Sequence, residues 1–101
     1  MADGIDVQIT DIQEVSGNTV ATIVVTPIEE FKGTVDLTYS LSGPGASNPS
    51  PDDVFVERYT PETHEKNLGS LQTGSFSFGV VGTARDDSNI TDSDTEDFTV
   101  T

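Results

Sequence analysis

The sequence predicts an all-β sandwich, and three observations carry that expectation. Apolar and polar residues alternate with a period of two along nearly the whole chain, no segment shows the helical period of about 3.6, and turn signals recur about every 8–12 residues. Seven strands in 101 residues make a single domain, residues 1–101, of the immunoglobulin-like β-sandwich type with antiparallel strands.

Ile5, Val7 and Ile9 alternate with Asp6, Gln8 and Thr10, the pattern of a half-buried first strand. "SGNT" (Ser16–Thr19) is a turn signal. "TVATIVVT" is apolar on both parities, as in a central strand, and Pro27 ends it because a proline cannot donate to a sheet ladder. Gly33 begins the third run, in which Val35, Leu37, Tyr39 and Leu41 alternate with Thr34, Asp36, Thr38 and Ser40. "SGPGASNPSPDD" (Ser42–Asp53) breaks regular structure with three prolines and two glycines. "VFVERY" is a short strand stopped by Pro61, and "HEKNLGSL" is a weaker one. "SFSFGVV" puts Phe76, Phe78 and Val80 on one face. Asp87-Ser88-Asn89 is expected to be a tight turn, and the last strand to end with Phe98 and Val100 inward and Thr99 and Thr101 outward. The expected core is Ile9, Ile23, Val35, Leu37, Tyr39, Phe76, Phe78, Val80, Phe98 and Val100.

Charge narrows the function classes. Eighteen acids against four bases give a formal net charge of −14, a field that repels phosphate, so nucleic acid and anionic membrane surfaces are not expected partners. Lysine is confined to Lys32 and Lys66, tryptophan is absent, and Thr and Ser are abundant. That composition resembles proteins of halophilic archaea and their viruses, whose carboxylate-rich surfaces stay hydrated while salt screens their repulsion. With no cysteine there is no disulfide, thiol nucleophile or thiolate-bound zinc. Met1 is followed by Ala-Asp-Gly, so no signal peptide is expected, and no run approaches the roughly 20 apolar residues that insert across a bilayer.

"GSFSFGVVGTARDDSN" followed by "DFTVT" resembles the last two strands of prokaryotic and viral immunoglobulin-like modules, and "VQITDIQEVSGNTVATIVV" resembles their first hairpin. The resemblance implies no catalytic residue. The cysteine pair and core tryptophan of antibody domains are missing, which excludes a true antibody-like domain. With its acidic charge, the chain resembles small capsid decoration or turret proteins of haloarchaeal tailed viruses.

Catalytic constellations are sparse. The one histidine, His64, lies between Glu62 and Glu65 in a polar segment and is expected at the surface. Gly43-Pro44-Gly45 lacks the lysine of a phosphate loop. The chain is therefore not expected to be an enzyme or to hold a cofactor. Asp86, Asp87, Asn89, Asp92 and Asp94 carry oxygens of the kind calcium takes, but on a strand Asp92, Asp94 and Glu96 would stand about 7 Å apart in succession, too spread for one ion. No metal is expected, and the acidic stretch reads as a solvated face. "NIT" at Asn89 is a glycosylation sequon.

Charge is missing from Asn67 to Ala84 and from Leu37 to Pro51. The third and sixth strands are neighbours in this kind of sandwich. Their outward residues, Thr34, Asp36, Thr38 and Ser40 with Ser75, Ser77, Gly79, Val81 and Thr83, would form a nearly neutral face. Interface cores are depleted of charge. Thr34, Thr38, Ser40, Ser75, Ser77, Gly79 and Val81 are thus the expected partner-binding residues, with the 43–53 loop beside them. The expectation is a structural, protein-binding module that joins itself or a larger assembly such as a capsid at a virion surface. The alternative is a ligand-binding or adhesion domain of a secreted cell-surface protein, with calcium at the acidic turn and sugar on Asn89.

If the acidic surface is a salt adaptation, the melting temperature should rise from low to molar KCl as carboxylate repulsion is screened. A thermal melt series checks this, and a flat or falling trend would remove the halophile argument.

Overall fold

The computed structural model describes residues 3–101, and among them it is all-β. The strands are β1 (Gly4–Val15), β2 (Asn18–Ile28), β3 (Gly33–Ser42), β4 (Asp52–Val56), β5 (Glu62–Gly69), β6 (Gly74–Ala84) and β7 (Asp87–Val100). They form two antiparallel sheets, ordered β1-β2-β5 and β4-β3-β6-β7. The fourth strand pairs with β3, whereas in the constant-type immunoglobulin arrangement it lies in the other sheet.

Local chemistry accounts for the framework. β2 is the centre of its sheet, as its two-sided apolar pattern requires: Ala21, Ile23 and Val25 are fully buried, and Val20 and Val24 are half-buried on the outer side. Ser16 and Gly17 join β1 to β2 with φ of 53° and 84°, the paired left-handed conformation of a tight hairpin turn. β3 buries Val35, Leu37, Tyr39 and Leu41, and β6 buries Phe76, Phe78 and Val80 against them. Tyr39 stacks on Phe78 at 5.7 Å between ring centroids.

Nine of the ten expected core residues are buried, and Phe98 is half-buried, stacked on Phe76 at 5.5 Å. Several boundaries differ from the sequence reading. β2 is not ended by Pro27 but runs through it to Ile28: Pro27 pairs with Ile5 of β1 and lies beyond Val25, where pairing with β5 stops, so no second ladder needs its missing N–H. β4 starts at Asp52, inside the Pro-rich stretch, because its backbone pairs with Leu37 of β3. The last hairpin turns at Arg85-Asp86, so Asp87 already belongs to β7. β7 is one continuous strand along β6, and its acidic part is not a solvated overhang.

That last correction concerns how the sandwich closes. Phe98 and Val100 face inward, and the unbroken alternation carries Glu96, Asp94 and Asp92 to the same side. At the sandwich margin this side meets β1, the edge strand of the other sheet. Val7 N–H donates to Asp92 Oδ2 at 2.7 Å, and Ile9 N–H donates to Asp94 Oδ2 at 2.8 Å. Two amides that would otherwise line an open edge are thereby satisfied by charged acceptors. Gly82, directly across from Asp92 on β6, permits the approach: a Cβ there would lie 2.8 Å from Val7 Cγ2. Beyond Ile9 a bulge at Thr10 shifts the β1 register.

Asp92→Ala with Asp94→Ala should destabilise the fold by about 1–3 kcal/mol for each amide left unpaired, with the Asn pair costing less because its carbonyls still accept. Phe78→Ala should cost about 3–5 kcal/mol. Urea unfolding of the variants checks both figures, and an Ala pair as stable as the parent would show that the clasp contributes nothing.

Candidate functional site

The outer face of the four-stranded sheet is the candidate site. Strand pairing arranges its side chains in rows that cross β3, β6 and β7: Thr38–Val81–Ser93, then Ser40–Gly79–Thr95, then Ser42–Ser77–Asp97. Asp36–Thr83–Thr91 lies at one end and Ser75–Thr99 at the other. Thr38, Ser40, Ser75 and Val81 are exposed, Val81 to 43%. Ser77 is half-buried, and Thr34 is half-buried opposite Phe55 of β4, away from the central rows. Gly79 is buried: a Cβ there would come within 2.7 Å of Ser40 Oγ and 3.5 Å of Thr95 Oγ1, so the hydroxyl side chains lean over the bare backbone.

Two features of this face were missed from sequence. β7 adds Thr91, Ser93 and Thr95 to Thr99, the one of these expected outward, and together they widen the neutral surface by a strand. The available signal was the parity of Phe98 and Val100, which sends the odd-numbered hydroxyls outward once the strand is continuous. Asp36 is also not a free charge. Arg85 Nη2 reaches Asp36 Oδ1 at 2.6 Å and Asp53 Oδ2 at 2.7 Å, which gathers the two carboxylates at one corner.

No family model and no curated protein matches the sequence. Two crystal structures of a β-glucosidase from Kluyveromyces marxianus, one selenomethionine-labelled and one in complex with glucose, match 96% of this chain. Their TM-scores are 0.63 and 0.62, at 17% and 13% identity. The likeness is one of fold. This chain spans 14% of the length of that β-glucosidase chain.

At the other margin, between β4 and β5, Asp52 gathers three donors. Tyr39 Oη–H donates to Asp52 Oδ2 at 2.8 Å, Lys66 Nζ lies 3.2 Å from the same oxygen, and His64 Nε2 lies 3.1 Å from it. Lys66 Nζ also sits 5.1 Å from the Tyr39 ring centroid. His64 is therefore half-buried and paired, because β5 turns it toward Asp52, and not the free surface residue expected from its polar neighbours. Burial alone would raise the Asp52 carboxyl, but the hydrogen bonds from Tyr39, His64 and Lys66 and the Lys66 charge outweigh it and hold Asp52 below the usual carboxylate range. Burial first, and then the bond to Asp52 and its charge, push the Tyr39 phenol well above its ordinary value. The cluster ties one sheet to the other, and no serine or threonine hydroxyl bonds to His64 among the described residues.

The acidic residues weighed for calcium are dispersed. Asp92 and Asp94 are committed to β1 amides, while Asp87 Oδ1 accepts the Asn89 N–H at 3.0 Å beside the last hairpin turn. Among the described residues no three His, Cys, Asp or Glu side chains are grouped to hold a metal ion. Asn89 is exposed at the start of β7.

Because the folded Asp52 carboxyl lies below its unfolded value, the stability it contributes is present above the unfolded pKa of about 4 and is lost as pH falls through the folded value. Asp52→Asn should thus be less stable than the parent at pH 7 by about 1–3 kcal/mol, with the gap narrowing below pH 4. Urea melts at both pH values check this; a gap independent of pH would contradict it.

Proposed function

We propose that this chain is a non-enzymatic structural module that docks on another protein through the outer face of its four-stranded sheet, as a capsid decoration or turret protein on the surface of a halophilic virus. The observation that carries the docking is the pair of central rows, Thr38–Val81–Ser93 and Ser40–Gly79–Thr95, which hold no charge on a chain of net charge −14. The outer face of the three-stranded sheet, by contrast, carries Asp6, Asp11 and Glu65, none of them in an ion pair among the described residues. Burying a surface strands whatever charge it bears, so a partner is accommodated best where charge is absent. The acidic remainder stays hydrated in brine.

A second reading has one observation in its favour. The structural neighbours contain this fold as a small share of a much longer chain. Such a module could serve as an adhesion or ligand-binding unit of a secreted cell-surface protein, with Asn89 free to carry sugar. The reading frame of the native gene separates the two: a short frame beside capsid genes favours the virion, and a long exported frame favours the cell surface.

Val81→Glu places a carboxylate in a central row without touching the core. It should leave the melting temperature nearly unchanged and abolish self-association, read as mass by light scattering in molar KCl, or occupancy on purified virus particles. Asp11→Ser on β1 should leave assembly intact. Normal assembly by Val81→Glu, or its loss in Asp11→Ser, would mean that another face docks.

A further inference from the structure

Three carboxylates stand on the outer face of the four-stranded sheet: Asp36, Asp53 and Asp97. Arg85 bridges the first two. Asp97 is exposed and takes part in no side-chain hydrogen bond or ion pair among the described residues. It completes the row Ser42–Ser77–Asp97 and lines an open trough of about 490 Å3 together with Ser75, Thr99 and Gly43. Gly43 keeps that end of the trough low, since a Cβ there would run into the Phe76 ring.

We propose that Asp97 is the specificity contact of this face and seats one basic side chain, a lysine or an arginine, of the partner protein. The inference rests on the docking reading above and names the chemistry of its partner. Asp97 stands in the row next to Ser40–Gly79–Thr95, so a protein that covers the neutral rows and reaches one row further covers it. Such a protein either meets the carboxylate with a cation or buries it bare, and a bare buried charge is strongly unfavourable. A cation brings its own demand, because an ammonium carries three donors and a guanidinium five, with no acceptor on either. One carboxylate does not satisfy them all as water leaves. The hydroxyls of Ser42, Ser75, Ser77 and Thr99 line the same trough and accept the remaining donors. The trough thus offers a cation one carboxylate and several hydroxyl acceptors, and it carries no positive charge to attract an anion. The corner held by Arg85 differs, because its two carboxylates already share a guanidinium.

The test is an amide NMR titration of the intact protein at one fixed salt concentration. The probes are acetyl-Gly-Lys-Gly-amide and its glutamine counterpart. The lysine peptide should shift the Ser75, Ser77, Asp97 and Thr99 amides saturably, and more than those of Asp11 and Glu14 on β1. The glutamine peptide should not. Asp97→Asn should keep the parent melting temperature and lose the shift. Shifts spread evenly over all carboxylates, or persisting in Asp97→Asn, would overturn the proposal. The two readings fail separately. A trough that ignores the lysine peptide while Val81→Glu still abolishes assembly removes Asp97 and leaves the docking face. A trough that binds it while Val81→Glu assembles normally removes the docking face and leaves a site for free basic groups.

Discussion

The clasp between β7 and β1 is the constraint on which the rest of the molecule turns. Asp92 and Asp94 must face inward to reach the Val7 and Ile9 amides, and Gly82 must lack a side chain for Val7 to lie close enough. On a strand of period two, sending Asp92 and Asp94 inward sends Thr91, Ser93 and Thr95 outward. The same two hydrogen bonds therefore close the sandwich and compose the neutral surface on its far side. One strand serves both ends because its acids and hydroxyls occupy opposite parities.

The other margin is closed in a related way, with Asp52 collecting Tyr39 from its own sheet and His64 and Lys66 from the other. Edge strands with unsatisfied backbone groups invite pairing with other chains. Here inward carboxylates occupy one such edge, and a half-buried charged cluster fills the gap at the other. A chain with few bases thus sets Lys66 against Asp52 and Arg85 where Asp36 and Asp53 converge. The high acid content is only partly a matter of solvation, since several carboxylates have structural partners.

Much of the framework was legible in the sequence, because alternation and turn chemistry are local. Val35 to Leu41 and Phe76 to Val80 declare their faces outright, and the adjacency of β3 and β6 follows from the type of sandwich. What escaped depends on contacts between distant parts of the chain. Asp92 and Asp94 look like solvent-facing residues until β1 supplies amides for them, although the parity of Phe98 already pointed inward. His64 sits among glutamates in sequence, and only the meeting of β4 with β5 gives it Asp52 as a partner. β4 begins inside a Pro-rich stretch because its pairing with β3 decides the matter, not the local composition. In the candidate site, the β3 and β6 rows were visible and the β7 row was not. Asp97 could be singled out only after Arg85 was seen to account for Asp36 and Asp53.

The clasp also has a mechanical side. It joins the first strand to the last, across 85 residues of sequence, and its two bonds ascend both strands together, Val7 with Asp92 and Ile9 with Asp94. β1 and β7 consequently run in the same direction where they meet. Tension applied at the start of β1 and the end of β7 pulls the two strands past each other along their length, so both bonds bear the load at once and do not open one after the other. A module held at one end and pulled at the other would load both cross-links together before either strand could peel away.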